Sequence, residues 1–341
     1  MSRAKIPKQV LPDKALHYTA EDVRVGTSQL VAEYRAKRLR CDTIADLGCG
    51  VGFQSFAFAK TCQRVFAVER DARKLETAKK NAEALGIKNI TFLQGDALDS
   101  ALIKKLKSCD IIFCDTERPL GEVRRTLETI QPNPAELLQA YSPITPQIAI
   151  ELPPFLKDIP LAGEREYLSI HGALSRLTIY CGKLAKAERS IVLLPGGEHL
   201  ESAKEKTRLK TAQALDGFSY LYDINPAVLQ AGLLAEVDAL AGQMLEFYAY
   251  EKKQFFCSKR IVKSPFLRAH EILAVIPREA NEIRKQLLQL NAGKVILRQS
   301  LDPREYWKER KKYEAGLAGK RILSLFMLDK AVIAETVAVN S

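Results

Sequence analysis

Asp46, Gly48, Gly50 and Gly52 lie at the end of the stretch CDTIADLGCGVG (41–52), where a short apolar run breaks into a glycine-rich turn. Glycine frees the backbone and removes side chains, so the chain can reverse there and a ligand can approach the main chain closely. Alone, such a turn is more often just a tight loop than a nucleotide site. About 20 residues on, the apolar run RVFAVE ends in Glu69, at the spacing of a carboxylate that accepts hydrogen bonds from ribose hydroxyls. A glutamate that only caps the next helix is the plainer alternative. Gln94-Gly95-Asp96-Ala97 and Asp115 close two further apolar runs in the same manner.

Four elements must present these groups on one edge. Residues 43–47, 64–69, 90–93 and 110–115 read as short buried strands, each followed by polar or charged residues. Between the second and third, Leu75, Ala78, Ala82 and Leu85 carry helical spacing over 71–85, and Gly86 stops the helix. This alternation predicts an α/β fold, an open sheet with its ligand along the C-terminal ends of the strands. A fifth strand is predicted at 147–152, and three more at 167–171, 174–181 and 189–194, set apart by Gly163, Gly172 and Gly182. Upstream, 20–39 reads as an amphipathic helical region with Thr27 or Ser28 as N-cap. Residues 1–19 form a basic, proline-punctuated extension.

These motifs together resemble the class I S-adenosylmethionine-dependent methyltransferases, whose fold is a Rossmann-like sheet. Asp46 to Gly52 is similar to their first motif, Glu69 to the acid that holds the ribose, and Asp96-Ala97 to the pair that contacts adenine. The resemblance implies a cofactor site made of Thr27, Asp46, Gly48, Gly50, Gly52, Glu69, Arg70, Asp96, Ala97 and Asp115, with Thr27 near the methionine end. A dinucleotide site would instead space its glycines G-x-G-x-x-G to set a pyrophosphate on a helix N-terminus. Asp46 would repel that phosphate and suits the ammonium group of a methionine moiety.

A narrower likeness covers residues 20–337. Asp115, Arg118, Arg124-Arg125, Tyr141-Ser142-Pro143 and Glu151-Leu152-Pro153-Pro154 resemble methyltransferases that carry a THUMP-like C-terminal domain, and so do Tyr220 to Asp223, Pro226 and Ser264 to His270. The segment around Thr27 is also similar to that of the RNA cap trimethylguanosine synthases. Amino-methyltransferases place (D/N)-P-P-(Y/F/W) where this chain has Asp115-Thr116-Glu117-Arg118, so only the first position matches, and Thr116 replaces the first proline of both families. The resemblance implies a methyltransferase domain over 20–200 and a smaller α+β, THUMP-like RNA-binding domain over 211–341, with 198–210 as a linker or helix. In the latter, Pro226 fits the first turn of a helix over 227–240. Strand, helix, strand, helix and two strands then follow over 266–276, 281–291, 294–298, 302–314 and 321–336.

Function follows as an expectation. Methyl transfer to nitrogen needs mainly in-line positioning, and no strong base. Asp115 would orient the nucleophilic nitrogen of a nucleobase and Arg118 would hold the base or its phosphate. The resemblance to the THUMP-like family implies transfer RNA as the favoured substrate, ahead of ribosomal RNA. A protein or small-molecule methyltransferase and a non-catalytic cofactor-binding RNA module are the alternatives. Ribose 2′-O methylation is disfavoured, because the usual Lys-Asp-Lys-Glu set cannot be placed on these strands. Cys114 could suggest a covalent route, but as the penultimate residue of a buried strand it is expected in the core.

Charge points the same way. The chain has a net charge of +11, and residues 251–321 hold 18 Lys and Arg against 8 Asp and Glu. So local an excess is the footprint of a polyanion partner. Arg35, Arg38, Arg124, Arg125, Arg268, Arg310, Lys311 and Lys312 are the RNA-binding candidates, Arg35 and Arg38 being solvated helix residues in the alternative. Trp307, among basic residues, is expected to pack in the core. Seven cysteines without a CxxC pair and four scattered histidines give a metal site little support and read as reduced thiols. No apolar run approaches the length of a membrane span or a signal peptide, so a cytoplasmic protein is expected, with a monomer favoured.

Overall fold

The computed structural model describes residues 16–117, 127–156, 158–205, 208–299 and 301–337. Two compact units divide the chain, one ending at Ser202 and the other running from Ala203. The first is built on nine strands: β1 (Thr43–Leu47), β2 (Arg64–Glu69), β3 (Ile90–Gln94), β4 (Ile111–Asp115), β5 (Ile148–Leu152), β6 (Glu164–Ile170), β7 (Ala173–Tyr180), β8 (Arg189–Leu194) and β9 (Glu198–Glu201). Its helices are α1 (Ala20–Val25), α2 (Gln29–Arg38), α3 (Phe53–Ala59), α4 (Ala72–Ala84), α5 (Ser100–Lys105) and α6 (Pro134–Tyr141).

The sheet order is β3-β2-β1-β4-β5-β7-β6-β8-β9. β1 to β5 are mutually parallel, while β7 runs antiparallel to both β5 and β6. The order reverses between β1 and β4, and that switch opens a crevice at the carboxyl ends of the strands. This is a Rossmann-like α/β sheet, and its first four strands lie where the apolar runs predicted. Helix α2, with its C-cap Leu39, packs on one face through Ala32 and Ala36, against Ile44, Phe58, Phe113 and Tyr180.

Local chemistry explains the helix bounds. Asp71 caps α4 by accepting from the Arg73 and Lys74 N–H groups, and Gly86 follows the helix at a φ of +67°. Ser28 occupies the N-cap of α2, but its side chain makes no capping bond. The linker expectation for 198–210 is corrected at its start: Glu198–Glu201 is the edge strand β9, paired antiparallel with β8.

The second unit holds β10 (Lys210–Thr211), β11 (Tyr220–Ile224), α7 (Pro226–Ala231), α8 (Leu234–Leu240), β12 (Glu246–Tyr250), β13 (Lys253–Ser258), β14 (Leu267–Ile276), α9 (Ala280–Gln289), β15 (Ala292–Arg298), α10 (Pro303–Glu314), β16 (Arg321–Met327) and β17 (Ala331–Thr336). From β14 onward the elements follow the order read from the sequence. Two features do not. The helix expected over 227–240 is broken into α7 and α8 where Gly232 takes φ +66°. The hairpin β12–β13 has no counterpart in the sequence reading, and it extends the sheet to the order β10-β12-β13-β11-β14-β17-β16-β15.

Candidate active site

The glycine turn leaves β1 with Gly48, Gly50 and Gly52 all at positive φ. At Gly52 a Cβ would meet the Phe56 ring at 2.3 Å, so packing alone demands glycine there. Gly50 differs: at φ +57° a Cβ would meet nothing within 4 Å, so its bare backbone faces open space. That is the cradle a ligand would fill.

Glu69, at the end of β2, is buried and clamped by two backbone donors. The Gly50 N–H reaches one carboxylate oxygen and the Asp71 N–H the other, both at 2.9 Å. Each oxygen keeps a lone pair for a further donor. The acid expected to hold the ribose and the glycine turn are therefore one hydrogen-bonded assembly. Asp96 caps its own loop through the Leu98 N–H, and the Tyr141 hydroxyl donates to the Ala97 carbonyl at 2.7 Å, pinning the loop after β3. Arg70 lies on the outside, half-exposed, bonded to Glu117 and Gln131.

Asp46 is fully buried at the C-terminal half of β1. One carboxylate oxygen accepts from Ser55 at 2.5 Å, and the other is a buried oxygen without a hydrogen-bond partner. Burial pushes its carboxyl up to about 7, against the Ser55 bond and with help from Asp115. A buried acceptor left open costs stability unless a ligand donor satisfies it.

Two adjoining cavities line this edge. One, about 390 Å³, is bordered by Glu69, Arg70, Asp96 and Ala97; the other, about 360 Å³, by Thr27, Asp46, Gly50, Glu151, Phe155 and Arg176. Gly48, Asp115 and Glu117 border both. Asp115 thus stands at the junction, and Thr27 Oγ1 donates to its Oδ2 at 3.3 Å. Thr116 donates to the Glu151 carbonyl at 2.6 Å, tying the end of β4 to the end of β5 where the related motifs have a proline.

Beneath the second cavity lies a buried ion network that sequence reasoning missed. Arg35, 1% exposed, pairs with Glu151, donates to Gln54 and sits 4.6 Å over the Phe113 ring. Arg176 takes the other Glu151 oxygen at 3.0 Å. Arg38 pairs with Glu164 and Glu166 and stacks on Tyr180 at 4.1 Å. The RNA-facing role expected of Arg35 and Arg38 is therefore corrected, as both guanidinium groups are spent inside the domain. Glu151, directly before an L-P-P-F run, carried no charge signal along the chain; its Cα pairing with Asp115 across β4 and β5 brings it here.

In the second unit Arg310 is also turned inward. It is buried, paired with Glu314 at 2.6 Å, and lies 5.1 Å over the Trp307 ring. Trp307 itself is 61% exposed, so the expectation of a core tryptophan is overturned; Tyr313 is the aromatic that α10 buries. Arg268 and Lys311 are exposed, and Lys312, also exposed, pairs with Glu309 at 2.5 Å. Arg118, Arg124 and Arg125 lie outside the described residues.

The cysteines are free, and Cys114 is fully buried with its thiol pushed well above the usual range by desolvation. It borders neither cavity, so it is no nucleophile for the site. Among the described residues no cluster of His, Cys, Asp and Glu could hold a metal ion, and no helix is long and apolar enough to cross a membrane.

Comparison with known proteins agrees with this geometry. Residues 41–154 match a family model described as a methyltransferase domain. The chain is 23% identical over 287 residues, 81% of its length and 75% of the relative's, to an uncharacterized S-adenosylmethionine-dependent methyltransferase of Mycobacterium tuberculosis. Shorter matches are to an uncharacterized RNA methyltransferase of Gloeobacter violaceus, 36% identical over 22% of this chain and 16% of the relative, and to a protein-L-isoaspartate O-methyltransferase of Pseudomonas fluorescens, 28% identical over 27% and 49%. The fold matches the crystal structure of a candidate methyltransferase from Porphyromonas gingivalis W83, with a TM-score of 0.74 at 17% identity, covering 93% of this chain and 82% of that one. The first unit thus contains a class I methyltransferase domain.

Proposed function

We propose that this chain, an S-adenosylmethionine-dependent methyltransferase, methylates a nucleobase nitrogen of RNA, with transfer RNA the favoured substrate. The observation that carries the reading is Asp115 at the junction of the two cavities, hydrogen-bonded by Thr27. When bound, the cofactor supplies an electrophilic sulfonium methyl group. The residues fit it: Glu69 and the Asp96–Ala97 loop suit its ribose and adenine, the open Gly50 backbone its body, and the unpartnered Asp46 oxygen its ammonium group.

Asp115 is then the acceptor for an N–H of the incoming nitrogen and fixes its lone pair toward the methyl group. Positioning of this kind supplies much of the acceleration for such a transfer. The proton leaves after the N–C bond has formed, when the nitrogen is strongly acidic, and Asp115 passes it to water.

The charge of the second cavity supports nitrogen over a carboxylate acceptor. Asp22, Asp46, Asp115, Glu117 and Glu151 border it, against Lys74 and Arg176. An anionic side chain of the isoaspartate kind would be repelled there; a neutral base edge with N–H donors would not.

RNA as the partner rests on the second unit, which we read as a THUMP-like RNA-binding module. Arg304, Trp307, Lys308 and Lys311 are exposed at helical spacing i, i+3, i+4 and i+7 on α10, a stripe able to hold phosphates and stack a base. The test is mass spectrometry of nucleosides from transfer and ribosomal RNA of a deletion strain. One methylated base should disappear from the transfer RNA; its loss from ribosomal RNA would move the substrate there, and no loss from either would refute the reading.

A further inference from the structure

Phe155 is a large apolar side chain left 53% exposed at the edge of the cavity that holds Asp115. Its surroundings are not a frayed loop. Leu156 after it and Pro153 two residues before it are buried, the Leu156 N–H closes a turn onto the Pro153 carbonyl at 3.1 Å, and two successive prolines restrict the backbone before it. The strand that leads into the turn carries Glu151, whose side chain is locked by Arg35 and Arg176 and whose carbonyl is held by Thr116. A rigid scaffold thus presents a bare aromatic ring to a cavity with acidic walls.

Those walls decide what the ring can meet. Carboxylates outnumber cations in the lining, which disfavours phosphate, and an aliphatic ligand would leave the Asp115 oxygen that Thr27 does not reach without a donor. A flat, neutral group with N–H at its edge satisfies both. We propose that Phe155 is the stacking platform for the acceptor base, so that the enzyme takes an amino-bearing nucleobase turned out of its own stack, its face on Phe155 and its N–H edge on Asp115. A base inside a duplex would bring its phosphates to the acidic rim, so extrusion or a single-stranded site is required. This rests on the RNA-base reading of the same site and adds the residue that reads the base and the state in which the base is read.

The test uses the full-length protein, labelled S-adenosylmethionine and transfer RNA from a strain lacking the gene. Stacking on one aromatic ring is worth about 10- to 100-fold in affinity. Phe155→Ala should therefore lower kcat/KM for RNA by about that factor, chiefly through KM. Cofactor affinity by calorimetry and the unfolding temperature should stay unchanged. Phe155→Tyr should keep most of the activity, whereas Phe155→Leu, apolar but without a π face, should behave like the alanine variant. If Phe155→Leu matches the wild type, or Phe155→Ala is fully active, the platform is refuted while the RNA reading stands. If the wild type methylates no RNA, the underlying reading fails and takes the proposal with it.

Discussion

Thr27 and Asp115 stand 88 residues apart in the chain, yet the Thr27 hydroxyl donates to the Asp115 carboxylate at 3.3 Å. The bond joins the segment before α2 to the end of β4 and fixes one Asp115 oxygen; in the proposed reaction the other accepts the substrate N–H. Asp115→Ala should abolish methyl transfer and leave S-adenosylmethionine binding nearly intact. Thr27→Val, which removes one hydrogen bond of about 1 kcal/mol, should slow transfer by about fivefold. Single-turnover transfer to RNA and calorimetry of cofactor binding measure the two effects; an unchanged rate in Asp115→Ala would remove this residue from the active site.

In the proposed cofactor site Asp46 should confer a pH dependence. Its carboxyl is raised to about 7, chiefly by burial, and only the ionised form attracts an ammonium group. Cofactor affinity should accordingly rise as pH increases through about 7 and level off above it. The stability effect has the opposite sign. A folded-state carboxyl above its unfolded value binds more protons in the folded state, so its contribution is present at low pH and is lost as pH rises through about 7. Asp46→Asn should flatten both profiles and weaken binding at pH 8, as calorimetry and thermal melts across pH 5 to 9 would show (about 5 and 9 being the ends of the useful range).

The Arg35–Glu151 pair is buried on both sides, so removing one partner strands the other. Arg35→Ala should cost about 3–5 kcal/mol of stability. The double variant Arg35→Met, Glu151→Leu should recover part of that loss, although Arg176 then lacks its partner. Urea denaturation of the three proteins decides it, and a single variant as stable as the wild type would contradict the pairing.

On α10 Arg310 is buried while Lys308 and Lys311 are exposed, which moves the proposed RNA contacts to these two. Neutralising Lys308 and Lys311 together should weaken RNA binding and lower the salt slope by about 1.5, the release of two phosphate counterions. Trp307→Ala should weaken binding with no change in slope. Arg310→Ala should instead lower thermal stability, because its guanidinium is tied to Glu314 and Trp307. Filter binding of transfer RNA at several salt concentrations separates these outcomes.

Much of the first unit was legible along the chain, because its cofactor edge is made of contiguous pieces. The strand, glycine turn and helix at 43–59 and the acid ending β2 are local patterns, and a bond from the Gly50 N–H to the Glu69 carboxylate joins them. Side-chain direction was not legible. Arg35, Arg38 and Arg310 read as cations for RNA, and they lie beside aromatic rings and acids contributed by distant strands or by the next helical turn. A helical stripe tells which residues share a face, not what lies opposite it.

The amino-acid order by itself determined the Rossmann-like α/β class, the cofactor and the acids at the ends of β1, β2, β3 and β4, since hydrophobic period and turn chemistry are properties of neighbours in sequence. Only the tertiary structure decided that β5 pairs beside β4, placing Glu151 and Phe155 on the cavity of Asp115, and that Trp307 faces outward while Arg35 is buried. Strand order and burial are set by which distant surfaces meet, and no window along the chain contains both partners.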